Sequence, residues 1–233
     1  MKLADLEVAI YELMLNKGGS RISMEYEVRF YFAREKLEKL IKKIRNVEGL
    51  SMQDRCYEKT LQFDHPCSEM SFYSKEIDGR FRVRITKNDT ISKCKLSWKR
   101  RLFSTTQTDI NKEEEVELSI NYNEYENLMF IIENVLKMRS IESYERFRTI
   151  FTNNEVEIAV DEYPFGIAVE IENKSDSEEP QKIVRKWVEK LGMDIKKAYR
   201  LSWDDKYSEL CKEQKIERYN HVTFDIPMPQ VID

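Results

Sequence analysis

The sequence predicts an α+β fold in which eight antiparallel strands carry charged side chains on one face and lie under helices on the other. Three observations support this prediction. Short turn signals such as Asp78-Gly79 and Asn153-Asn154 join the predicted strands, and short links between neighbouring strands require antiparallel pairing. Charged and apolar residues alternate along nearly every strand. The predicted helices are amphipathic, so they can cover the apolar face of the sheet.

Apolar residues that recur at helical spacing predict five helices. They lie at 1–19, about 33–47, about 123–138, 180–192 and from 202 onward. Pro180 is favourable in a first helical turn, and Gly192 is a good helix terminator. Ser202 is a preferred N-cap residue, and Asp205 follows three positions later, as in a capping box.

The eight predicted strands have an unusual charged face. They lie at 24–32, 58–63, 80–86, 92–102, 114–120, 144–151, 155–161 and 166–172. Successive side chains of a strand point to opposite faces. The charged residues therefore share one face, and they are clustered by sign within each strand, as Glu25 with Glu27 or Arg82 with Arg84.

Composition excludes several classes of protein. The 233 residues include only two histidines, and the four cysteines form no C-x-x-C motif, so zinc centres and histidine triads are not expected. No glycine-rich phosphate-binding motif is present. No apolar run approaches the ~20 residues of a membrane span. The acidic residues Asp5, Glu7 and Glu12 argue against a signal peptide. We expect a cytoplasmic protein with a single domain, 1–233, whose tail at 220–233 is irregular.

Two arrangements of the charged face are open. The sheet can be open, with its charged face in water. Alternatively, it closes on itself, so that the charged face lines an internal tunnel and the apolar face lies beneath the helices. The clustering by sign favours the tunnel. Buried charges need partners, and a polyphosphate bound to Mg²⁺ or Mn²⁺ would supply both kinds, since phosphate oxygens prefer Arg and Lys while the metal prefers carboxylates.

Eight short segments, in order, resemble motifs of the CYTH proteins, also called triphosphate tunnel metalloenzymes. The first, MEYEVRF at 24–30, resembles their E-x-E-x-K strand, with Arg29 in place of the lysine. The others are LQFDHP, FRVRIT, CKLSWK, EVEL, ERFR, VDEYPFGIAVEIE and AYRLSWDDKYSEL, and together they span about 23–210. Arginine does not release its proton near neutral pH, so a role that needs a titrating lysine does not transfer to Arg29.

The resemblance implies a closed, eight-stranded antiparallel β-barrel with a charged interior, a divalent metal and a triphosphate substrate. The metal ligands that it implies are Glu25, Glu27, Asp161, Glu170 and Glu172. The implied phosphate-binding residues are Arg29, Arg82, Arg84, Lys95, Lys99, Arg146 and Arg148. The implied catalytic residues are Glu27, Arg29, Glu117 and Asp161, and Glu115 with Glu117 forms the central E-x-E pair.

The expected function is metal-dependent hydrolysis of inorganic triphosphate or of a nucleoside or other organic triphosphate. The alternative is an adenylyl cyclase that converts ATP to cyclic AMP and pyrophosphate. A non-catalytic polyphosphate binder is disfavoured, because carboxylate pairs would weaken simple anion binding. The net charge of −4 argues against a nucleic-acid partner, although an RNA 5′-triphosphate end stays open. No membrane partner is expected, and the chain is a monomer or a homodimer.

Overall fold

Eight strands pair in a closed antiparallel ring in the computed structural model, which describes residues 23–72, 78–102 and 109–232. The predicted N-terminal helix lies outside these ranges. The strands are β1 (Ser23–Phe32), β2 (Ser51–Met52), β3 (Cys56–Asp64), β4 (Gly79–Lys87), β5 (Ser92–Arg101), β6 (Asn111–Ile120), β7 (Arg139–Thr152), β8 (Val156–Tyr163), β9 (Gly166–Asn173) and β10 (His221–Val222). Around the ring they follow the order β7-β3-β4-β5-β6-β1-β9-β8, and β8 returns to β7. The two short strands, β2 and β10, pair only with β7.

The ring closes because β7 is long enough to serve two neighbours. It has 14 residues. Its first part pairs with β3, and its last six residues pair with β8. Arg148 lies where the two pairings overlap, opposite Cys56 of β3 and Asp161 of β8. The prediction of a closed barrel with a charged interior is therefore confirmed.

The apolar residues of the strands point outward and are buried by helices. Within the described ranges, four α-helices lie outside the ring. They are α1 (Leu37–Arg45), α2 (Tyr125–Phe130), α3 (Pro180–Lys190) and α4 (Trp203–Gln214). Leu40 and Ile44 of α1 and Trp187 of α3 pack with Val28 and Ile158 of the strands in one apolar cluster. None of the helices in the described ranges is long and apolar enough to cross a membrane.

The predicted helix at 123–138 is shorter in the structure and changes its winding. After α2, residues Ile131–Val135 form a π-helical turn, in which the N–H of Leu136 bonds to the carbonyl of Ile131 at 2.9 Å. This wider turn rotates the following residues around the helix axis. Ile132 is buried, but Leu136, which a continuous α-helix over 123–138 would place on the same apolar stripe, is half exposed.

The C-terminal tail is more ordered than predicted. Residues 220–233 contain β10, which pairs in parallel with Ser143 and Tyr144 of β7. Val222, Met228 and Val231 pack with α4 in a second apolar cluster. The tail therefore fixes α4 against the barrel.

Helix α4 begins with the predicted capping box. The side chain of Ser202 caps the first turn, and the backbone N–H of Ser202 donates to the Asp205 carboxylate at 3.0 Å. We expect Ser202→Ala to lower the free energy of unfolding by about 1 kcal/mol, because an orphan N–H of the first turn loses its partner. Chemical denaturation checks this. Glu213→Ala, an exposed change on the same helix, is the control. Equal stability of the two variants would contradict the role of the cap.

Candidate active site

The barrel encloses a charged cavity of about 170 Å³. All the predicted site residues line it except Asp161, which is fully buried behind the cavity wall. The lining also includes Tyr144, Tyr163, Trp203, Glu157 and Lys174, which the sequence analysis did not select. The geometry thus brings together residues from seven ring strands and from the start of α4.

One side of the cavity carries a cluster of buried carboxylates. Glu25 lies opposite Glu113 in the pairing of β1 with β6, and Glu27 is two residues farther along β1 on the same face. One carboxylate oxygen from each of these three residues lies within 4.8 Å of the others. Glu115 and Glu172 lie beside this cluster. We call these five carboxylates, Glu25, Glu27, Glu113, Glu115 and Glu172, the acidic wall; four of them line the cavity, and Glu113 contacts the lining residue Lys99.

The ammonium group of Lys99, on β5, lies at the centre of the three-carboxylate cluster. Its Nζ is 2.7 Å from Oε2 of Glu25, 2.8 Å from Oε2 of Glu113 and 3.5 Å from Oε2 of Glu27. Burial disfavours the charged amine, but the attraction of Glu113, Glu27 and Glu25 outweighs burial and raises the pKa of Lys99 well above its usual value. Lys99 is therefore a fixed positive charge in this cluster.

Glu115 and Glu172 of the acidic wall nevertheless have raised pKa values. Burial and a hydrogen bond with Glu25 raise the pKa of Glu115 to about 8. Burial and repulsion from Glu25 raise the pKa of Glu172 well above its usual value, although Lys174 is bonded to it at 2.6 Å. In both, burial is the largest cause and the negative charge of Glu25 adds to it. A bound cation would lower both pKa values.

Across the ring lies a group of four arginines, Arg82 and Arg84 on β4 with Arg146 and Arg148 on β7, which we call the basic wall. Asp161 accepts hydrogen bonds from Arg146 at 2.8 Å and from Arg148 at 2.6 Å. Glu58 also accepts from Arg146, at 2.7 Å. The two β7 guanidiniums are therefore held in place by buried acids behind them.

The two β4 arginines are held much more loosely. The closest ion pair of Arg82 is with Glu115, at 3.8 Å, and its buried Nε has no hydrogen-bond partner within the described ranges. Arg84 donates to Thr60 at 3.3 Å and lies 3.9 Å from Glu58. A planar guanidinium with unused donors matches the oxygens of a phosphate group.

Arg29 connects the two sides of the cavity. It donates to Glu27 at 3.1 Å and to Glu170 at 2.7 Å. Glu170 in turn accepts from Arg148 at 2.6 Å. Arg29, which replaces the lysine of the motif, therefore bridges two carboxylates. Glu170 lies between two guanidiniums.

Tyr144 lies beside the basic wall. Burial alone would raise the pKa of this phenol, but the positive charges of Arg84, Arg146 and Arg82 outweigh burial and lower it to about 7. Its ring packs against Trp203 with 4.4 Å between centroids. Tyr144 thus reports on the positive potential at this wall.

The two ends of the cavity differ in exposure. Tyr144, Tyr163 and Trp203 are buried together at one end. Glu157 lies at the other end of β8, six residues before Tyr163, which is about 20 Å of strand. Near Glu157, the paired side chains of Lys95 and Glu117 are 41% and 35% exposed. Solvent therefore reaches the cavity from the Lys95 side.

The sequence analysis missed Glu113, Glu58 and Tyr144. Glu113 is the first residue of a run of three glutamates and precedes the predicted start of its strand. Glu58 lies at the start of a strand in which polar residues occupy every second position, namely Glu58, Thr60 and Gln62. Tyr144 lies two residues before Arg146 on the same face. The period-two pattern that identified the other residues extends to Glu58 and Tyr144, and it extends to Glu113 once the strand is known to begin before that residue.

No protein-family model matches the chain, and no curated protein matches its sequence. Several solved structures do match. The PH1819 protein from Pyrococcus horikoshii OT3 has 22% identity over 82% of this chain and 99% of its own, with a TM-score of 0.58. A proposed adenylate cyclase from Vibrio parahaemolyticus has 12% identity over 80% and 98%, with a TM-score of 0.58.

A third similar structure is HpAC1 from Hippeastrum, a proposed adenylyl cyclase for which a dominant triphosphatase activity is described. It has 15% identity over 83% of this chain and 97% of its own, with a TM-score of 0.51. The neighbours are proteins of the CYTH type. At these identities the likeness concerns the fold. The chain therefore has the fold of the CYTH-type triphosphate tunnel proteins.

Proposed function

We propose that this protein hydrolyses a triphosphate-containing substrate, either inorganic triphosphate or a nucleoside or other organic triphosphate, with the help of Mg²⁺ or Mn²⁺. The observation that carries this proposal is the arrangement of one cavity with a carboxylate cluster on one wall and loosely paired arginines on the other. The triphosphatase activity described for HpAC1, which has the same fold, supports it.

The three-carboxylate cluster fits a hard divalent cation. Its ligands are carboxylate oxygens, which Mg²⁺ and Mn²⁺ prefer, and they already converge. We propose that Glu25, Glu27 and Glu113 hold the metal, with Glu172 beside them. Asp161 and Glu170 remain predicted ligands, but their hydrogen bonds to Arg146, Arg148 and Arg29 favour a role in orienting these arginines.

The chain's own residues would position the reactants. Arg82, Arg84, Arg146 and Arg148 clamp the phosphate oxygens, and Lys95 with Glu117 lies at the solvent side of the cavity. A bound divalent metal supplies charge neutralisation on the phosphate oxygens. A carboxylate of the acidic wall that does not hold the metal would orient a water molecule toward the terminal phosphorus and would accept its proton, because a bound cation would lower the pKa of that carboxylate. The water oxygen bonds to phosphorus as the bridging P–O bond breaks, and the rest of the substrate leaves with the bridging oxygen.

Adenylyl cyclase activity is the second candidate, because three solved structures with this fold are proposed adenylate or adenylyl cyclases. In that reaction the ribose 3′-oxygen attacks the α-phosphorus and pyrophosphate leaves. The same two walls could hold the triphosphate for either reaction.

One assay separates these functions. The purified protein is incubated with inorganic triphosphate and, separately, with ATP, each with Mg²⁺ or Mn²⁺. We expect release of inorganic phosphate and its loss when a chelator removes the metal. Formation of cyclic AMP and pyrophosphate from ATP would instead support the cyclase. If neither substrate reacts with either metal, the cyclase and the hydrolysis of inorganic triphosphate and of ATP are all excluded.

Glu27→Gln should lower kcat/KM for the triphosphate substrate by at least about 100-fold. The amide keeps the shape of the side chain but removes the charge that holds the cation. Steady-state kinetics checks this, with circular dichroism to confirm folding. Glu114→Gln is the matched control, because Glu114 lies beside Glu113 but is bonded to Arg100 on the outer face of the barrel. Equal losses in the two variants would argue against the cavity as the active site.

The ultraviolet absorbance of tyrosinate should show one phenol that ionises near pH 7, and Tyr144→Phe should remove this step. Inorganic triphosphate should move the step to higher pH, because bound phosphate neutralises the arginines that lower this pKa. A step that the ligand does not move would argue against phosphate binding at the basic wall.

The same residue makes stability depend on pH. The pKa of Tyr144 in the folded state lies below the ordinary phenol value of about 10, so the phenolate stabilises the fold. This contribution is complete above pH ~10 and is lost as the pH falls through about 7. The difference in unfolding free energy between the wild type and Tyr144→Phe should therefore grow from pH 7 to 10, as measured by denaturant titration. A constant difference would contradict the lowered pKa.

A further inference from the structure

The three carboxylates of the cluster are arranged to bind a cation other than the Lys99 ammonium that they now contact. Glu27 accepts from Arg29 at Oε1, and its Oε2 points to Lys99. Glu113 has the same arrangement, with Arg101 at Oε1 and Lys99 at Oε2. Glu25 points Oε2 to Lys99 and shares a hydrogen bond with Glu115. Each carboxylate thus has a second neighbour besides the ammonium, and one oxygen of each converges on Nζ.

We infer that Lys99 is a built-in counter-ion that occupies the metal position until a metal–triphosphate complex displaces it. This inference rests on the proposed function and deepens it, because it names the substrate as the metal chelate of a triphosphate. Metal alone would compete with the ammonium for the same three oxygens. Triphosphate alone would meet an acidic wall that is still uncompensated.

Two positive ions cannot share this position. The ammonium lies 2.7–3.5 Å from all three ligand oxygens, and a divalent ion bound to the same oxygens would lie within a few ångströms of Nζ. Like charges at that distance, out of bulk water, repel strongly. The ammonium must therefore move when the metal binds.

The displaced ammonium group of Lys99 can move toward the basic wall. Lys99 belongs to β5, between the strand of Arg82 and Arg84 and the strand of Glu113, and it lines the cavity. Its side chain is a flexible stem with a compact charge. A phosphate on the basic wall would attract the displaced ammonium. The carboxylates would stay in position, because Arg29 and Arg101 still hold Glu27 and Glu113.

The exchange couples the two ligands. Phosphate draws the ammonium away and strengthens metal binding. By reciprocity the metal strengthens phosphate binding by the same factor. The metal–triphosphate complex should therefore bind more tightly than the separate affinities of the metal and of triphosphate would predict.

Lys99→Met tests the inference, because methionine keeps the length of the side chain without its charge. We expect the variant to bind Mn²⁺ at least about tenfold more tightly than the wild type when no phosphate is present, as measured by calorimetry. Lys186→Met is the control. Lys186 lies on α3 outside the ring and is bonded at 2.8 Å to Glu155, away from the cavity, so its replacement should leave Mn²⁺ affinity unchanged within about twofold.

Calorimetry on the wild type tests the coupling itself. The non-hydrolysable imidotriphosphate is titrated alone and as its Mn²⁺ complex. The complex should bind more tightly, and the gain should be smaller in Lys99→Met. Equal affinities in the wild type would contradict the coupling.

The thermal stability of Lys99→Met, measured with and without Mn²⁺, is a further test of the inference. Removal of the ammonium leaves buried carboxylates without their main counter-ion, so the Tm of Lys99→Met should fall without metal. Mn²⁺ should raise that Tm by more than it raises the Tm of the wild type. Unchanged or weaker Mn²⁺ affinity, or a misfolded variant that Mn²⁺ does not restore, would overturn the inference. These measurements involve no turnover, so a protein that binds Mn²⁺ as expected but hydrolyses no triphosphate would contradict only the proposed function.

Discussion

The pairing of opposite charges inside a closed ring of strands determines most of this structure. An ion removed from water loses several kcal/mol of solvation unless a partner replaces the solvent, and here most of the side chains that line the cavity are ions. Asp161 shows how the requirement is met, because it has no exposed surface and is bonded to two guanidiniums. With the interior filled by charge, the apolar residues must face outward, and the helices must lie outside to bury them.

The pairing is uneven, and the unevenness gives the cavity its chemistry. Behind the basic wall, Asp161 and Glu58 satisfy Arg146 and Arg148, whereas Arg82 and Arg84 keep donors for a ligand. On the acidic wall, burial and the neighbouring Glu25 raise the pKa values of Glu115 and Glu172. A polyanion and a cation, taken together, would complete both walls. Neither alone would do so.

Local patterns predicted the strands and most of the cavity lining, and the resemblance to the CYTH motifs implied that the strands close into a barrel. The alternation of charged and apolar residues has a period of two, so the inward set could be read from the sequence once each strand was recognised. Glu113 was lost because three successive glutamates show no alternation until the first residue of the strand is known. The partners of Asp161 depend on the register of β7 with β8, and the exposure of Leu136 depends on a π-helical turn. Hydrogen-bond registers of this kind are not visible in the spacing of apolar residues. The contact of Tyr144 with Trp203 joins residues that are far apart in the sequence, so the spacing of residues could not predict it either.

The difference between the two ends of the cavity has a consequence for the entry of substrate and the exit of product. Aromatic side chains fill the end at Tyr163, and water enters beside Lys95. With the proposed activity, the substrate would enter and the product would leave through the opening beside Lys95. The product must therefore leave before the next substrate molecule can enter. A long polyphosphate could insert only a terminus and leave the remainder outside. It would then be shortened stepwise from that terminus and never cut in its middle.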